Sequence, residues 1–142
     1  MPHLRRTIRE AVEARVTGLP TTGANVFRAS PHALGKLPAL RVATMDETVT
    51  RHTMGIVMRT VSITVTAFAK SGDDVEDALD GIAAEVEEAV MASGTLGGIA
   101  LDVEHTGTRK ALGEDGEVRN GIAQLSFAVR YRTPEGDPTR SA

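Results

Sequence analysis

The side chains that most often bind metals or act as nucleophiles are scarce in this sequence. It contains no cysteine, which excludes disulfides, thiol chemistry and Cys-ligated metal. None of the four histidines has a spacing that places two ligands on one helix face. They are His3, His32, His52 and His105. Without cysteine, zinc would need histidine and distant carboxylates, and His105 near Glu104 and Asp102 is a weak cluster, so we expect no metal and no other cofactor.

Motifs for phosphate binding and covalent catalysis are also missing. The Gly-rich stretch 93–98 follows a predicted helix instead of preceding one, and it lacks the Lys and Ser/Thr of a phosphate loop. None of Ser30, Ser71, Ser93 and Ser126 lies in a nucleophile-elbow context such as G-x-S-x-G. We therefore expect a protein that is not an enzyme.

Charge is distributed unevenly along the chain. The formal net charge is −3, yet residues 1–70 hold ten Lys and Arg against four Asp and Glu. Residues 71–98 hold eight Asp and Glu and no Lys or Arg. One interpretation is an acidic helix face that keeps the protein soluble. The alternative is that copies of the subunit set an acidic face against a basic one, which fixes their orientation.

Binding to nucleic acids and membranes is not favoured by the composition. Arg5, Arg6 and Arg9 cluster near the N-terminus, but the chain is acidic overall and only 3% aromatic, which removes stacking platforms for bases. We expect no direct sequence-specific nucleic-acid binding. No segment approaches the roughly 18 consecutive apolar residues of a membrane span. The N-terminus is charged where a signal peptide is apolar, so we expect synthesis in the cytoplasm and no membrane partner.

The elements that would position these side chains are organised around residues 59–93. Apolar residues alternate with Ser and Thr over 61–67, which predicts a strand with one buried face. The next segment has apolar residues at steps of three and four, which predicts a helix packed on the sheet. These are Val75, Leu79, Ile82, Val86 and Val90. Asp73 and Glu76 form a candidate capping box at the start of this helix.

The remaining elements complete an α+β domain over residues 1–133. An amphipathic helix is predicted from Met1 to about Val16, and a short strand at 25–28. The segments 39–45, 99–104 and 124–131 are further predicted strands, with 39–45 at an edge and a bulge at Gly121. Polar segments 46–55 and 106–121 are predicted as long hairpin arms. Residues 134–142 are predicted to be a disordered tail.

These elements predict a mainly antiparallel four-stranded sheet with two helices packed on one face. The predicted core is almost wholly aliphatic. It consists of Leu4, Ile8, Val12, Val61, Ile63, Val65, Leu79, Ile82, Val86, Leu101, Val103, Phe127 and Val129.

In order and local pattern, this layout resembles the tail terminator proteins of long-tailed bacteriophages, in particular those of lambda-like siphophages. The likeness covers Leu4 to about Thr133 and has no catalytic motif. Its points are the helix ending near Val16, the strand Val26–Phe27, the LPALRV run Leu37–Val42, the strand Val61–Phe68, the acidic helix opening at Asp73, the charged arm around Arg109–Arg119 and the closing strand Leu125–Arg132.

The resemblance implies a fold like that of tail-tube subunits and a structural role in the virion. Tail terminators form a hexameric ring on the finished tube, stop its growth and present the surface that joins it to the capsid connector. The implied partners are further copies of the chain, the major tail-tube protein and the head–tail connector protein. The implied location is the head-proximal end of the tail.

Charged side chains supply the candidate contact residues. The basic candidates lie on the predicted arms and their bases, for contacts within the ring or with the tube: Arg51, His52, Arg59, Arg109, Lys110 and Arg119. The acidic counterface lies on the central helix: Asp73, Asp77, Asp80, Glu87 and Glu88.

Two alternatives remain open. One is a small cytosolic enzyme or ligand-binding domain of ferredoxin-like shape, whose mark would be a concave pocket with convergent polar groups. The sequence does not indicate such a pocket. The other is a neighbouring virion protein, such as a tail-completion or head–tail connector subunit. Gene order separates these, because a terminator gene is expected just before the gene for the major tail-tube protein.

Overall fold

The computed structural model describes residues 2–27, 37–71, 74–115 and 118–142. These form two helices and five strands in an α+β arrangement. In chain order they are α1 (Leu4–Val16), β1 (Val26–Phe27), β2 (Ala39–Thr53), β3 (Ile56–Ser71), α2 (Val75–Met91), β4 (Asp102–Asp115) and β5 (Val118–Pro134).

The strands form one mixed sheet in the order β1-β2-β3-β5-β4. β1 runs parallel to the start of β2, with Val26 opposite Leu40, and all other pairs are antiparallel. The predicted four-stranded, mainly antiparallel sheet is therefore wrong, because the short strand near residues 25–28 joins the sheet as a fifth member. The Leu40 backbone N–H donates to the Asn25 carbonyl at 2.8 Å and helps to hold β1 there. The start of β2 is consequently not at an edge.

The predicted hairpin arms are built into the sheet. β3 pairs with β5 over sixteen consecutive positions, from Ile56 opposite Pro134 to Ser71 opposite Arg119. Over the residues that the structure describes, each hairpin is therefore flanked by a third strand almost to its end and does not project as a two-stranded arm. The turn between β2 and β3 uses Gly55 at φ 81°, a conformation that favours glycine.

One core lies between the sheet and the helices. Alternate residues of β3 and β5 face the helices and are buried, as the period-two pattern predicted. The five apolar residues of α2 at three- and four-residue steps are also buried, at 2% exposure or less. α1 packs against β2 and α2. At Gly121 an added Cβ would lie 2.7 Å from Leu79 Cδ1, so glycine allows α2 to approach the sheet closely.

Three sequence predictions about packing differ from the structure. Leu4 is only partly buried, and Leu101 is 44% exposed. The chain reaches β4 through turns, so Ala100 is buried in place of Leu101. No register shift occurs at Gly121, where a bulge was predicted. Asp73, the predicted capping residue, lies outside the described residues. Asp74, which immediately precedes α2, makes no side-chain hydrogen bond that caps the helix.

The C-terminal residues, for which disorder was expected, make backbone hydrogen bonds to the sheet and to α1. The Glu135 N–H donates to the Gly55 carbonyl at 2.8 Å, and the Leu4 N–H donates to the Pro138 carbonyl at 2.9 Å. The Ala142 N–H donates to the Arg132 carbonyl at 3.1 Å. These bonds connect the end of the chain to both layers of the domain.

Candidate functional site

A buried ionic cluster lies where α1 meets the sheet. Its centre is Glu47, whose side chain is 7% exposed. Arg5 Nη1 and Arg59 Nη1 donate to Glu47 Oε2 at 2.8 and 3.2 Å, and the Tyr131 hydroxyl donates to Oε1. Arg59 Nε also donates to Thr133 Oγ1 at 2.9 Å. We call these five residues the Glu47 cluster.

The Glu47 cluster depends on a β-bulge. β2 shifts register against β3 between Thr44 and Glu47, and Glu47 then lies opposite Val61, on the side of the sheet that faces the helices. Strict alternation from Val42 and Thr44 would place Glu47 on the side of the sheet away from the helices, because it does not include the bulge. Glu47 was therefore not identified from the sequence. Arg5 reaches it from the first turn of α1, where His3 Nδ1 accepts from the Arg5 N–H at 3.0 Å.

Burial and charge shift the pKa values around the Glu47 cluster. Burial raises the pKa of Tyr131 strongly, and its hydrogen bond to the Glu47 carboxylate adds to the shift. Burial lowers the pKa of His3, and the positive charge of Arg5 lowers it further. Glu47 accepts bonds from three side chains, so the cluster connects α1, β2, β3 and β5 and acts as a structural tie.

The side of the sheet away from the helices is polar, and we call it the polar face. On β3 and β5 it carries alternating Ser, Thr and Gln side chains between the buried positions. A groove of about 440 Å³ lies on it, with Asp46 on β2 at one side and Arg109 on β4 at the other. The lining is Met45, Asp46, Ser62, Thr64, Thr106, Gly107, Thr108, Arg109, Gln124 and Ser126.

Two bulges flank this groove. One is the bulge in β2 after Thr44, and the other lies in β4 between His105 and Gly107. They lie at the same level, because Thr64 is opposite Ser126 and Ser126 is opposite Gly107. Bulges bend strands and increase their twist. The groove therefore lies between two bent outer strands, and its hydroxyl and amide groups converge.

The sheet has two long edges without a neighbouring strand among the described residues. On β2 the edge extends from Val42 to Thr53, beyond the two positions that β1 covers. On β4 it extends from Asp102 to Asp115. Met45 and Val49 on β2 and Leu112 on β4 are 50–55% exposed. Such edges present unpaired backbone groups that can pair with another chain.

The basic contact candidates fall into different environments. Arg59 is 13% exposed inside the Glu47 cluster, so it is not available as a surface contact. Arg51 Nη2 lies 3.4 Å from Glu135 Oε1, whereas His52 and Arg109 are exposed without an ion pair among the described residues. The side chain of Arg119 lies outside the described part of the structure.

Two of the acidic candidates are paired within the subunit. Lys110 Nζ lies 2.5 Å from Asp80 Oδ1, and this contact raises the pKa of Lys110. His105 Nδ1 lies 3.3 Å from Glu87 Oε1. The charges that were expected to meet between subunits thus partly meet between β4 and α2. Asp77 and Glu88 remain exposed and without an ion pair in the described chain, and Asp73 is outside it.

Within the described ranges, no three His, Asp or Glu side chains are placed so that they could hold a metal ion. No helix in this part of the chain is long and apolar enough to cross a membrane. Comparison with models of known protein families and with curated proteins finds no match.

Proposed function

We propose that this protein is a structural subunit of a phage tail, a terminator that closes into a ring on the finished tail tube. The ring ends polymerisation of the tube and provides the surface for head–tail joining. Its partners are further copies of the chain, most simply as a hexamer, together with the major tail-tube protein and the head–tail connector. The resemblance in element order motivates the proposal, and the two open sheet edges support it.

The open edges carry the proposal because their directions are compatible. β2, β3, β5 and β4 alternate in direction, so β2 and β4 of one subunit are antiparallel to each other. If subunits are placed side by side in the same orientation, β4 of one lies antiparallel to β2 of the next. This is the pairing that strand addition uses. A head-to-tail contact of this kind gives a closed ring when its rotation closes.

The exposed charges are also compatible with a head-to-tail contact. Asp77 and Glu88 on α2 are unpaired within the described chain, and Arg109 and His52 lie exposed on the outer strands. Such charges set orientation and partner choice more than affinity. They therefore complement backbone pairing at the edges.

Blocking an edge tests the ring. A charge placed on an exposed apolar position of an edge strand hinders strand addition. We expect Leu112→Lys on β4 to reduce assembly on purified tails, measured by light scattering and electron microscopy. Ile122→Lys is the matched control, because Ile122 is similarly exposed at 37% but lies on the interior strand β5. Equal assembly of both variants and wild type would contradict pairing at this edge.

A ligand-binding domain is the second candidate, and the polar groove favours it. The concave site with convergent polar groups that this alternative requires is present on the polar face. A thermal-shift screen with amino acids and simple sugars tests it. A concentration-dependent rise in Tm that Ser126→Leu abolishes would support ligand binding. No rise with any compound in the screen would leave the groove without support as a site for these ligands.

A further inference from the structure

Most cations of the described chain have a carboxylate partner. Ion pairs hold Arg5, Arg6, Arg9, Arg51, Arg59, Lys110, Arg130 and Arg140. Each arginine of the cluster near the N-terminus, which was a candidate nucleic-acid footprint, therefore has a carboxylate partner within the subunit: Glu47, which Arg5 shares with Arg59, Glu10 for Arg6 and Glu13 for Arg9. The cations that are available for an external anion lie elsewhere on the molecule.

The cations without a described ion pair are concentrated on the polar face. Arg15 is the exception, in the last turn of α1, where a positive charge interacts favourably with the helix dipole. The others lie one on each long strand: Arg41 on β2, Lys70 on β3, Arg109 on β4 and Arg132 on β5. Their registers place all four on the side away from the helices, opposite Thr66, Asn120, Gln124 and Met58 respectively.

The polar face is therefore positive although the chain as a whole is negative. It also carries Arg130, which makes a two-point contact with Asp102 that neutralises both groups. The remaining described carboxylates on this face are Asp46 and Glu104. The Nε donors of Arg41 and Arg132 find no acceptor in the described chain. Four unpaired cations against two carboxylates leave an excess of positive charge.

We propose that the polar face contacts the sugar–phosphate backbone of duplex DNA without reading its sequence. Guanidinium, ammonium and hydroxyl groups are the side chains that bind phosphate oxygens. They are arranged here across four strands, and Arg109 also lines the groove on this face. The groove gives the convex outside of a duplex a recess to lie against.

Single-stranded nucleic acid fits this face less well. Its binding sites use several aromatic side chains on which successive bases stack. The described part of the polar face offers two aromatic side chains, Phe27 and Phe68, and both are partly buried. The proposal depends on the charges of one subunit and not on ring formation, so it can fail or succeed independently of the proposed function.

Fluorescence anisotropy with a short labelled DNA duplex, titrated at several salt concentrations, tests the proposal. The variant is Arg41→Gln/Arg109→Gln/Arg132→Gln. The matched control is Arg6→Gln/Arg51→Gln/Arg140→Gln, which removes the same charge from paired cations elsewhere. We expect wild type and control to bind alike, and the polar-face variant to bind at least about tenfold more weakly. The plot of the logarithm of the binding constant against the logarithm of the salt concentration has a negative slope. In the polar-face variant this slope should be shallower by about 3, since each lost phosphate contact removes about 0.9.

Several results would overturn the proposal. One is no binding by the wild type at low salt, and another is an equal loss of affinity in both triple variants, which would show that only net charge matters. Displacement of the duplex by polyglutamate at equal charge concentration would identify an acidic polypeptide as the better occupant. Circular dichroism of all three proteins verifies that they are folded.

Discussion

Removing the carboxylate at the centre of the Glu47 cluster should destabilise the domain far more than removing a surface carboxylate. In Glu47→Ala, Arg59 keeps its charge at 13% exposure and loses its partner. The Tyr131 hydroxyl loses its acceptor in a site that is 1% exposed. Loss of one partner from a buried pair costs about 3–5 kcal/mol, because the other charge is left uncompensated. Arg5 is 38% exposed, and water can replace part of its contact.

The matched control is Glu10→Ala. Glu10 pairs with Arg6 on the surface of α1, and the two side chains are 42% and 60% exposed. Such an i,i+4 pair stabilises a helix by about 0.2–0.5 kcal/mol. Urea unfolding followed by circular dichroism gives the free energy of unfolding for both variants. In a domain of this size, a loss of about 3–5 kcal/mol lowers Tm by roughly 10 °C or more.

The two variants must therefore differ clearly. A loss below about 1 kcal/mol in Glu47→Ala, or a loss equal to that in Glu10→Ala, would show that Glu47 is not a buried, charge-compensating tie. Arg59→Met in the Glu47→Ala background supplies a further measure. It should recover part of the loss, because it removes the uncompensated cation.

Three further predictions concern the core and the Glu47 cluster. The chain has a single tyrosine, Tyr131, and its raised pKa keeps it protonated in the folded state above pH 10. The contribution of this group to the free energy of unfolding is therefore full below that pH and declines as the pH rises further. Absorbance titration should show tyrosinate at about pH 10 in urea but not in the folded protein; equal titration curves would contradict burial. Gly121→Ala should cost about 1–3 kcal/mol by overpacking against Leu79, whereas Gly107→Ala meets no atom within 4 Å and should cost less; equal urea midpoints would contradict this contact. Leu79→Ala should lower the free energy of unfolding by about 2–5 kcal/mol, because Leu79 is fully buried. A decrease in Tm no larger than that of Glu88→Ala, a substitution at an exposed position of the same helix, would disprove the packing of α2 on the sheet.

Local periodicity was sufficient for the central part of the fold. The alternation over β3 and the three- and four-residue steps over α2 identified both elements and their buried faces, because these patterns follow from strand and helix geometry. β1 was recognised as a short strand, but its place in the sheet was not. Two residues carry no information about which distant strand they will join, and the parallel pair with Leu40 and Arg41 is set by tertiary packing.

The contact candidates show a similar limit. Sequence reasoning grouped charges by their position along the chain, whereas the structure pairs Lys110 with Asp80 and Arg59 with Glu47 inside one subunit. The bulge before Glu47 shifts the alternation, and no glycine or proline marks it. These pairings also change the choice of variant. Lys110→Glu would place like charges together within the subunit, so Arg109→Glu is the better probe of an external contact.

The central claim is that the protein ends tail growth and enables head–tail joining. The proposal requires that the gene lies in a phage genome, and its most direct test is to inactivate the gene there and examine the particles by electron microscopy. We expect heads separated from tails and tails of abnormal length, with both defects corrected when the wild-type chain is supplied in trans. Complete virions with tails of normal length in its absence would contradict the claim.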